Sequence, residues 1–202
     1  MGFFVAITGG IACGKSLFAG HFRALGAEVL DTDDVTHALE APGGAAVGPI
    51  RQRFGDGMIA ADGGVDRARL AELVFADASA REDLNALLHP MVREAVREWR
   101  ERPGASGIRA AVIPLLYEAG WAGDWDVVIC VSSHTQAQVD RLMRFRGLSA
   151  EQARQRVAAQ MPVAEKAAKA DLTAENNAGP EGLADEAARI YRLLMERPEN
   201  EY

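Results

Sequence analysis

The chain is constrained most by a run near its N-terminus, Gly9-Gly10-Ile11-Ala12-Cys13-Gly14-Lys15-Ser16. It spells G-x-x-x-x-G-K-S, the pattern of a phosphate-binding loop. Phe3, Phe4, Val5, Ala6 and Ile7 precede it as a short apolar run with the character of a buried strand. Phe18, Phe22 and Leu25 follow at helical spacing, and Gly26 supplies a stop. The predicted context is strand, glycine loop, helix. A triphosphate needs donors already in place, and the backbone N–H groups of such a loop and of the free helix end provide them. Gly9, Gly10 and Gly14 let the backbone wrap closely, Ile11, Ala12, Cys13 and Leu17 complete the cradle, Lys15 reaches the β- and γ-phosphates, and the Ser16 hydroxyl is a ligand for Mg²⁺.

The bulk properties fit a protein built around that site. At 202 residues, with 49% hydrophobic and 25% charged side chains, the chain is long enough for one domain with insertions and a real core. A formal net charge of −7 argues against a nonspecific nucleic-acid binder, so an anionic substrate must be held by local clusters of cations. No run approaches the roughly 20 apolar residues of a membrane span. The first strand starts at once, so no signal peptide is expected, and Cys13 and Cys130 offer neither a disulfide framework nor metal-ligand spacing. The expectation is a cytoplasmic enzyme, monomeric or weakly self-associating.

A second strand, Glu28-Val29-Leu30-Asp31, runs into Asp31-Thr32-Asp33-Asp34, ahead of a helix expected near Val35. Carboxylates at a strand's carboxyl end lie where open α/β sheets bind ligands. Asp34 reads as a helix-capping residue and Asp33 as a candidate for chemistry. Residues 41–64 are turn-rich. A helix follows near Asp66, another behind a capping box at Ser79-Ala80-Arg81-Glu82, and a further one opened by Pro90. Strands are then expected at residues 110–116, where Pro114 should mark the end of the ladder or a bulge, and at residues 126–131. The order implies a doubly wound, parallel α/β sheet flanked by helices. Between residues 141 and 169, Arg141, Arg144, Arg146, Arg154, Arg156, Lys166 and Lys169 stand against only Glu151 and Glu165, and a capping box at Ser149-Ala150-Glu151-Gln152 makes two helices meet at Gly147-Leu148, as in a helical lid over a triphosphate. A short strand at residues 172–174 and a packing helix from Glu181 to Met195 close the chain.

Neither D-x-x-G nor N-K-x-D appears, which argues against a GTPase. From Thr8 and the phosphate loop, through Asp31-Thr32-Asp33 with His37, Leu88-His89-Pro90, Pro114-Leu115-Leu116-Tyr117-Glu118, Gln138 with Arg141, Gly147-Leu148-Ser149 and Gln160, to Ala170-Asp171 and Asn176-Asn177, the chain resembles the dephospho-coenzyme A kinases over nearly its full length. The resemblance implies the P-loop kinase fold, with a helical acceptor-binding insertion at about 36–88, a helical lid at about 135–169 and the core in the remaining residues. It implies transfer of the γ-phosphoryl of ATP to the ribose 3′-hydroxyl of dephospho-CoA, with Mg²⁺. Asp33 is then the base, Lys15 and Arg141 offset charge on the transferring group, and Asn177 lies on the adenine side. His89 either contacts the acceptor or is structural, and Glu118 either supports the site or caps a turn. Phe145 stands where the family has a second lid arginine, and Ala178 where it has a glycine. The alternatives are a kinase for another small acceptor, such as a nucleoside monophosphate, and a non-catalytic nucleotide-dependent regulator.

Overall fold

The computed structural model describes residues 3–103 and 107–196. Five strands form one sheet in the order β2-β3-β1-β4-β5, made of β1 Phe3–Gly9, β2 Glu28–Asp31, β3 Ile108–Val112, β4 Val127–Ser132 and β5 Leu172–Glu175. β1 is central and pairs in parallel with β3, Val5 opposite Ala110, and with β4, Val5 opposite Val127. β4 pairs in parallel with β5, Ile129 opposite Leu172. The chain leaves β1 for β2 and β3 on one side and returns to add β4 and β5 on the other. The segment after β1 therefore emerges at the switch point of the sheet, where α/β folds bind ligands.

Two compact units are distinguishable, Met1–Leu30 with Pro103–Tyr202, and Asp31–Arg102. In the first, α1 Lys15–Ala24 packs against α9 Pro180–Met195. Strand side chains alternate in direction. Val5, Ile7, Val127, Ile129 and Val131 join Phe18, Phe22, Leu183, Ile190 and Leu194 in one core, while the intervening Ala6, Thr8, Val128 and Cys130 are buried as well. A strand covered on both faces reads as an unbroken apolar run, which is why β4 was visible in the sequence. β3 ends at Val112, short of Pro114, whose ring nitrogen has no hydrogen for a ladder.

The same unit carries α6 Thr135–Arg146, α7 Ala150–Ala158 and α8 Val163–Lys169. Gly147, left-handed at φ 65°, ends α6, and the Ser149–Gln152 capping box starts α7 as its sequence predicts. α8 packs on β4 and β1.

The second unit holds α2 Thr32–Glu40, α3 Val47–Phe54, α4 Arg67–Ala76 and α5 Ala78–Glu101 around Ala46, Ile50, Val65, Leu70 and Leu88. It departs from the sequence reading in three places. α3 lies in a stretch read as turns, where glycines and Pro49 mask a helix that buries Ile50. The helices expected on either side of Pro90 are one helix, α5, started by Asp77 rather than Ser79, the Asp77 carboxylate accepting from the N–H groups of Ser79 and Ala80. Proline removes a hydrogen bond inside a helix, but the stripe Leu88, Val92, Val96 and Trp99 is buried on both sides of it and carries the helix through. Finally, α2 begins at Thr32, since the Asp31 carboxylate accepts from the Asp33 N–H at 2.9 Å.

Candidate functional site

The phosphate loop connects the end of β1 to the start of α1. Gly9 has a φ of 146°, and a side chain there would place its Cβ 2.1 Å from the Val131 carbonyl oxygen. Gly14, at φ 98°, caps α1 with no side-chain bond, and a Cβ would sit 2.5 Å from Asn176 Nδ2. No acidic side chain occupies the first turn of α1. The opening N–H groups of a helix have no partner within it, and no carboxylate of the first turn competes for them here. Lys15 Nζ donates to the carbonyls of Gly10 at 2.9 Å and Gly9 at 3.3 Å, so its ammonium lies over the loop. Ser16 and Leu17 are exposed beside it.

Side chains distant in sequence hold the loop from outside. The Ile11 N–H donates to Gln160 Oε1 at 3.1 Å, and the Ile11 carbonyl accepts from Gln138 Nε2 at 2.8 Å. Arg141 donates to the carbonyls of Ala12 at 3.1 Å and Asn176 at 2.7 Å. Asn176 Nδ2 donates to the Cys13 carbonyl at 2.9 Å. Ala12 stands at φ 57°, the one non-glycine residue with positive φ among those described. Cys13 is buried, its sulfur accepting from the Ser133 hydroxyl at 3.3 Å, so it is a packing residue whose side chain faces the protein core.

Of the other residues singled out from sequence, Asn177 bridges the His134 N–H and Glu175 without touching the loop through any of these bonds, and Asn176 is the asparagine that does. Glu118 pairs with the fully buried Lys166 at 2.8 Å and accepts from the Met161 N–H at 3.2 Å. Lys166 also donates to the Pro114 carbonyl. Arg144, Phe145 and Arg146 are all exposed, with the Arg144 guanidinium 5.2 Å from the Phe145 ring centre. A cleft of about 460 Å³ opens at Gly10 and is walled by Gln138, Val157, Gln160, Met161 and Val163, with Arg154 the charged residue of its lining.

In the unit Asp31–Arg102, Asp33 is exposed in the first turn of α2. Because Asp31 does the capping, the Asp33 carboxylate is not consumed by it. His37 follows one turn later, contacting Arg67, which also pairs with the buried Glu40. Burial pushes the Glu40 carboxyl up, against the opposing pull of Arg67 and His37. His89, half-buried in α5, is held below the usual histidine range by burial and by Arg93.

Among the described residues, no group of three or more His, Cys, Asp or Glu side chains is placed to hold a metal ion. A divalent cation in the loop would have the Ser16 hydroxyl as its ligand and complete its oxygen shell with phosphate and water, the manner in which Mg²⁺ accompanies nucleotides. Also among the described residues, no helix is long and apolar enough to cross a membrane.

The roles of Gln138, Gln160, Asn176 and Lys166 at the loop and beneath it were not readable from composition or spacing. Each acts on a residue far away in the chain, Asn176 on one 163 positions earlier.

This geometry suits an anionic ligand, and comparison with known proteins narrows the class. The family model described as dephospho-CoA kinase matches residues 3–181. A dephospho-CoA kinase of Anaeromyxobacter dehalogenans is 45% identical over 94% of this chain and 91% of its own. The Thermus thermophilus protein TT1252 has a crystal structure with a TM-score of 0.82 at 32% identity, covering 98% of this chain and 99% of its own. A solved dephospho-CoA kinase from Campylobacter jejuni shares the fold with a TM-score of 0.63 at 23% identity, covering 95% of this chain and 96% of its own. With the match extending from the first strand into the last helix, the chain belongs to the dephospho-CoA kinase family.

Proposed function

We infer that this protein transfers the γ-phosphoryl group of ATP to the ribose 3′-hydroxyl of dephospho-CoA, giving coenzyme A and ADP, the last step of coenzyme A synthesis. The observation that carries the reading is the phosphate loop at the switch point of the sheet, with Lys15 over it, in a chain that matches the family from residue 3 to residue 181.

Phosphoryl transfer depends mainly on positioning and on offsetting charge. The loop N–H groups and the opening turn of α1 hold the phosphates, and Lys15 moves from its carbonyl partners onto the β- and γ-oxygens. Asp33 orients the acceptor hydroxyl and takes its proton. A carboxylate of ordinary basicity, with a reference pKa of about 3.9, does this late, as bonding to the phosphoryl group acidifies the hydroxyl. Arg141 adds positive charge beside the loop. Mg²⁺, held through Ser16, supplies charge neutralisation of the phosphate oxygens when bound. Asn177 lies on the adenine side, His89 contacts the acceptor, and Glu118 supports the site through its pair with Lys166. Residues 135–169 act as the lid that excludes water. The enzyme works in the cytoplasm as a monomer or weak homo-oligomer.

A coupled assay of ADP release against an acceptor panel tests this reading. Turnover should appear with dephospho-CoA and Mg²⁺ and be far lower with nucleoside monophosphates. Preference for a nucleotide acceptor, or ATP binding with no acceptor-dependent turnover, would overturn it.

A further inference from the structure

Each of four successive peptide units in the phosphate loop is held by a side chain from outside it. Gln160 accepts from the Ile11 N–H, Gln138 donates to the Ile11 carbonyl, Arg141 to the Ala12 carbonyl and Asn176 to the Cys13 carbonyl. All the peptides are trans among the described residues. In a trans peptide the N–H points opposite to the C=O. Fixing the carbonyls of Ile11, Ala12 and Cys13 on the outer side therefore turns the N–H groups of Ala12, Cys13 and Gly14 toward the inner side, where phosphates bind. The Cys13 N–H makes only a long contact, 3.3 Å, with the Gly10 carbonyl.

The loop needs such support. Ala12 is left-handed without being glycine, a conformation that persists only where surrounding contacts over-determine it. Those contacts are both polar and apolar, since Ile11 and Ala12 also pack on Val139, Leu142 and Ala153 of α6 and α7. Gln138 is 2% exposed and Asn176 5%, so neither amide can exchange its loop bond for water without moving.

We propose that Gln138 and Gln160 are positioning residues that set the phosphate loop from outside, so that the seating of residues 135–169 fixes how tightly the loop binds a triphosphate. The proposal rests on the ATP-binding reading above and adds to it a coupling between the helices after β4 and the loop after β1. Gln138 and Gln160 act on the two sides of one residue, Ile11, and their effects should be less than multiplicative when combined.

The test is calorimetric titration of Gln138→Leu, Gln160→Leu and the wild type with ATP and, separately, with inorganic triphosphate, each in the presence of Mg²⁺. Each variant should weaken both probes by the same factor, about three- to tenfold, the range of a lost hydrogen bond. In steady-state assays with the other substrate held saturating, KM for ATP should rise by a similar factor while KM for dephospho-CoA stays within about twofold, a split that general loosening of the fold would not give. Unchanged affinity in variants that melt like the wild type would overturn the proposal. So would loss of ATP binding with triphosphate binding intact, which would place the effect at adenine. Gln160 is only half-buried, so Gln160→Leu carries the test should Gln138→Leu fail to fold. The titrations do not depend on the acceptor. If the wild type binds ATP but does not turn over dephospho-CoA, the functional reading falls and the loop proposal is still decided.

Discussion

Lys166 and Glu118 form an ion pair of 2.8 Å in which the lysine is fully buried and the glutamate side chain is 26% exposed. The same glutamate oxygen accepts from the Met161 N–H, and the same ammonium donates to the Pro114 carbonyl. One charged pair therefore ties the turn after β3 to both ends of the Met161–Lys166 stretch. Removing one partner of a buried pair leaves the other uncompensated, at about 3–5 kcal/mol when burial is complete. Because water reaches Glu118, Lys166→Met should cost less, about 2–3 kcal/mol in urea unfolding. Glu118→Gln keeps an oxygen for both donors but leaves the fully buried ammonium without its counter-charge, and should cost at least as much. A Lys166→Met variant as stable as the wild type would show that the pair contributes nothing.

Asp33 and Lys15 are expected to fail differently. Asp33→Asn should lower kcat by on the order of 10² or more with ATP affinity near normal, as removal of a general base does. Lys15→Ala should weaken ATP binding and slow turnover together. Steady-state kinetics with a parallel ATP titration separates the two patterns, and normal turnover in Asp33→Asn would remove that carboxylate from the mechanism.

Gly9→Ala should be among the most damaging single substitutions in the chain. The added carbon would lie 2.1 Å from the Val131 carbonyl oxygen, at a φ of 146° that side chains avoid. Since the β1–β4 ladder ends and the loop begins at this point, we expect a loss of about 3 kcal/mol or more together with loss of ATP binding. Gly20→Ala, which meets nothing within 4 Å, is the control and should melt at or above the wild-type temperature.

Stability should fall on mild acidification in part through His89. Its folded pKa lies below the ordinary value of about 6.5. The unfolded chain therefore takes up its proton first as pH drops, and stability is lost from about pH 6.5 downward until the folded form is protonated too. Above that window the residue contributes no pH dependence. His89→Gln should thus narrow the gap in urea midpoint between pH 7.5 and pH 5.5. Glu40 works in the opposite sense, its raised value favouring the folded chain as pH falls through the carboxylate range.

How far the sequence revealed these features depended on how local their causes are. The loop, β1 and α1 were legible because glycine placement, strand run and helix stop lie within 26 residues. The turn at Gly147 and the box at Ser149 were legible for the same reason. Pro90 misled because a local helix-breaking rule was outweighed by the buried stripe from Leu88 to Trp99, which only the folded unit supplies. Asp31 was hard to separate from Asp33 and Asp34, since three carboxylates in four residues offer equivalent caps and backbone geometry chooses among them. The amides around Ile11 and Cys13 carried no signal in spacing, because the partners meet across 127 to 163 residues.

The two thiols give a way to watch this fold open. Cys13 and Cys130 are both free and fully buried, and burial pushes the Cys130 thiol up to about 12. Thiolates, not thiols, react with alkylating reagents. Neither sulfur should label in the closed protein at neutral pH, so the labelling rate becomes a clock for the opening of the sheet and the loop. Because Cys13 sits inside the phosphate loop, a bound triphosphate should slow that clock there first.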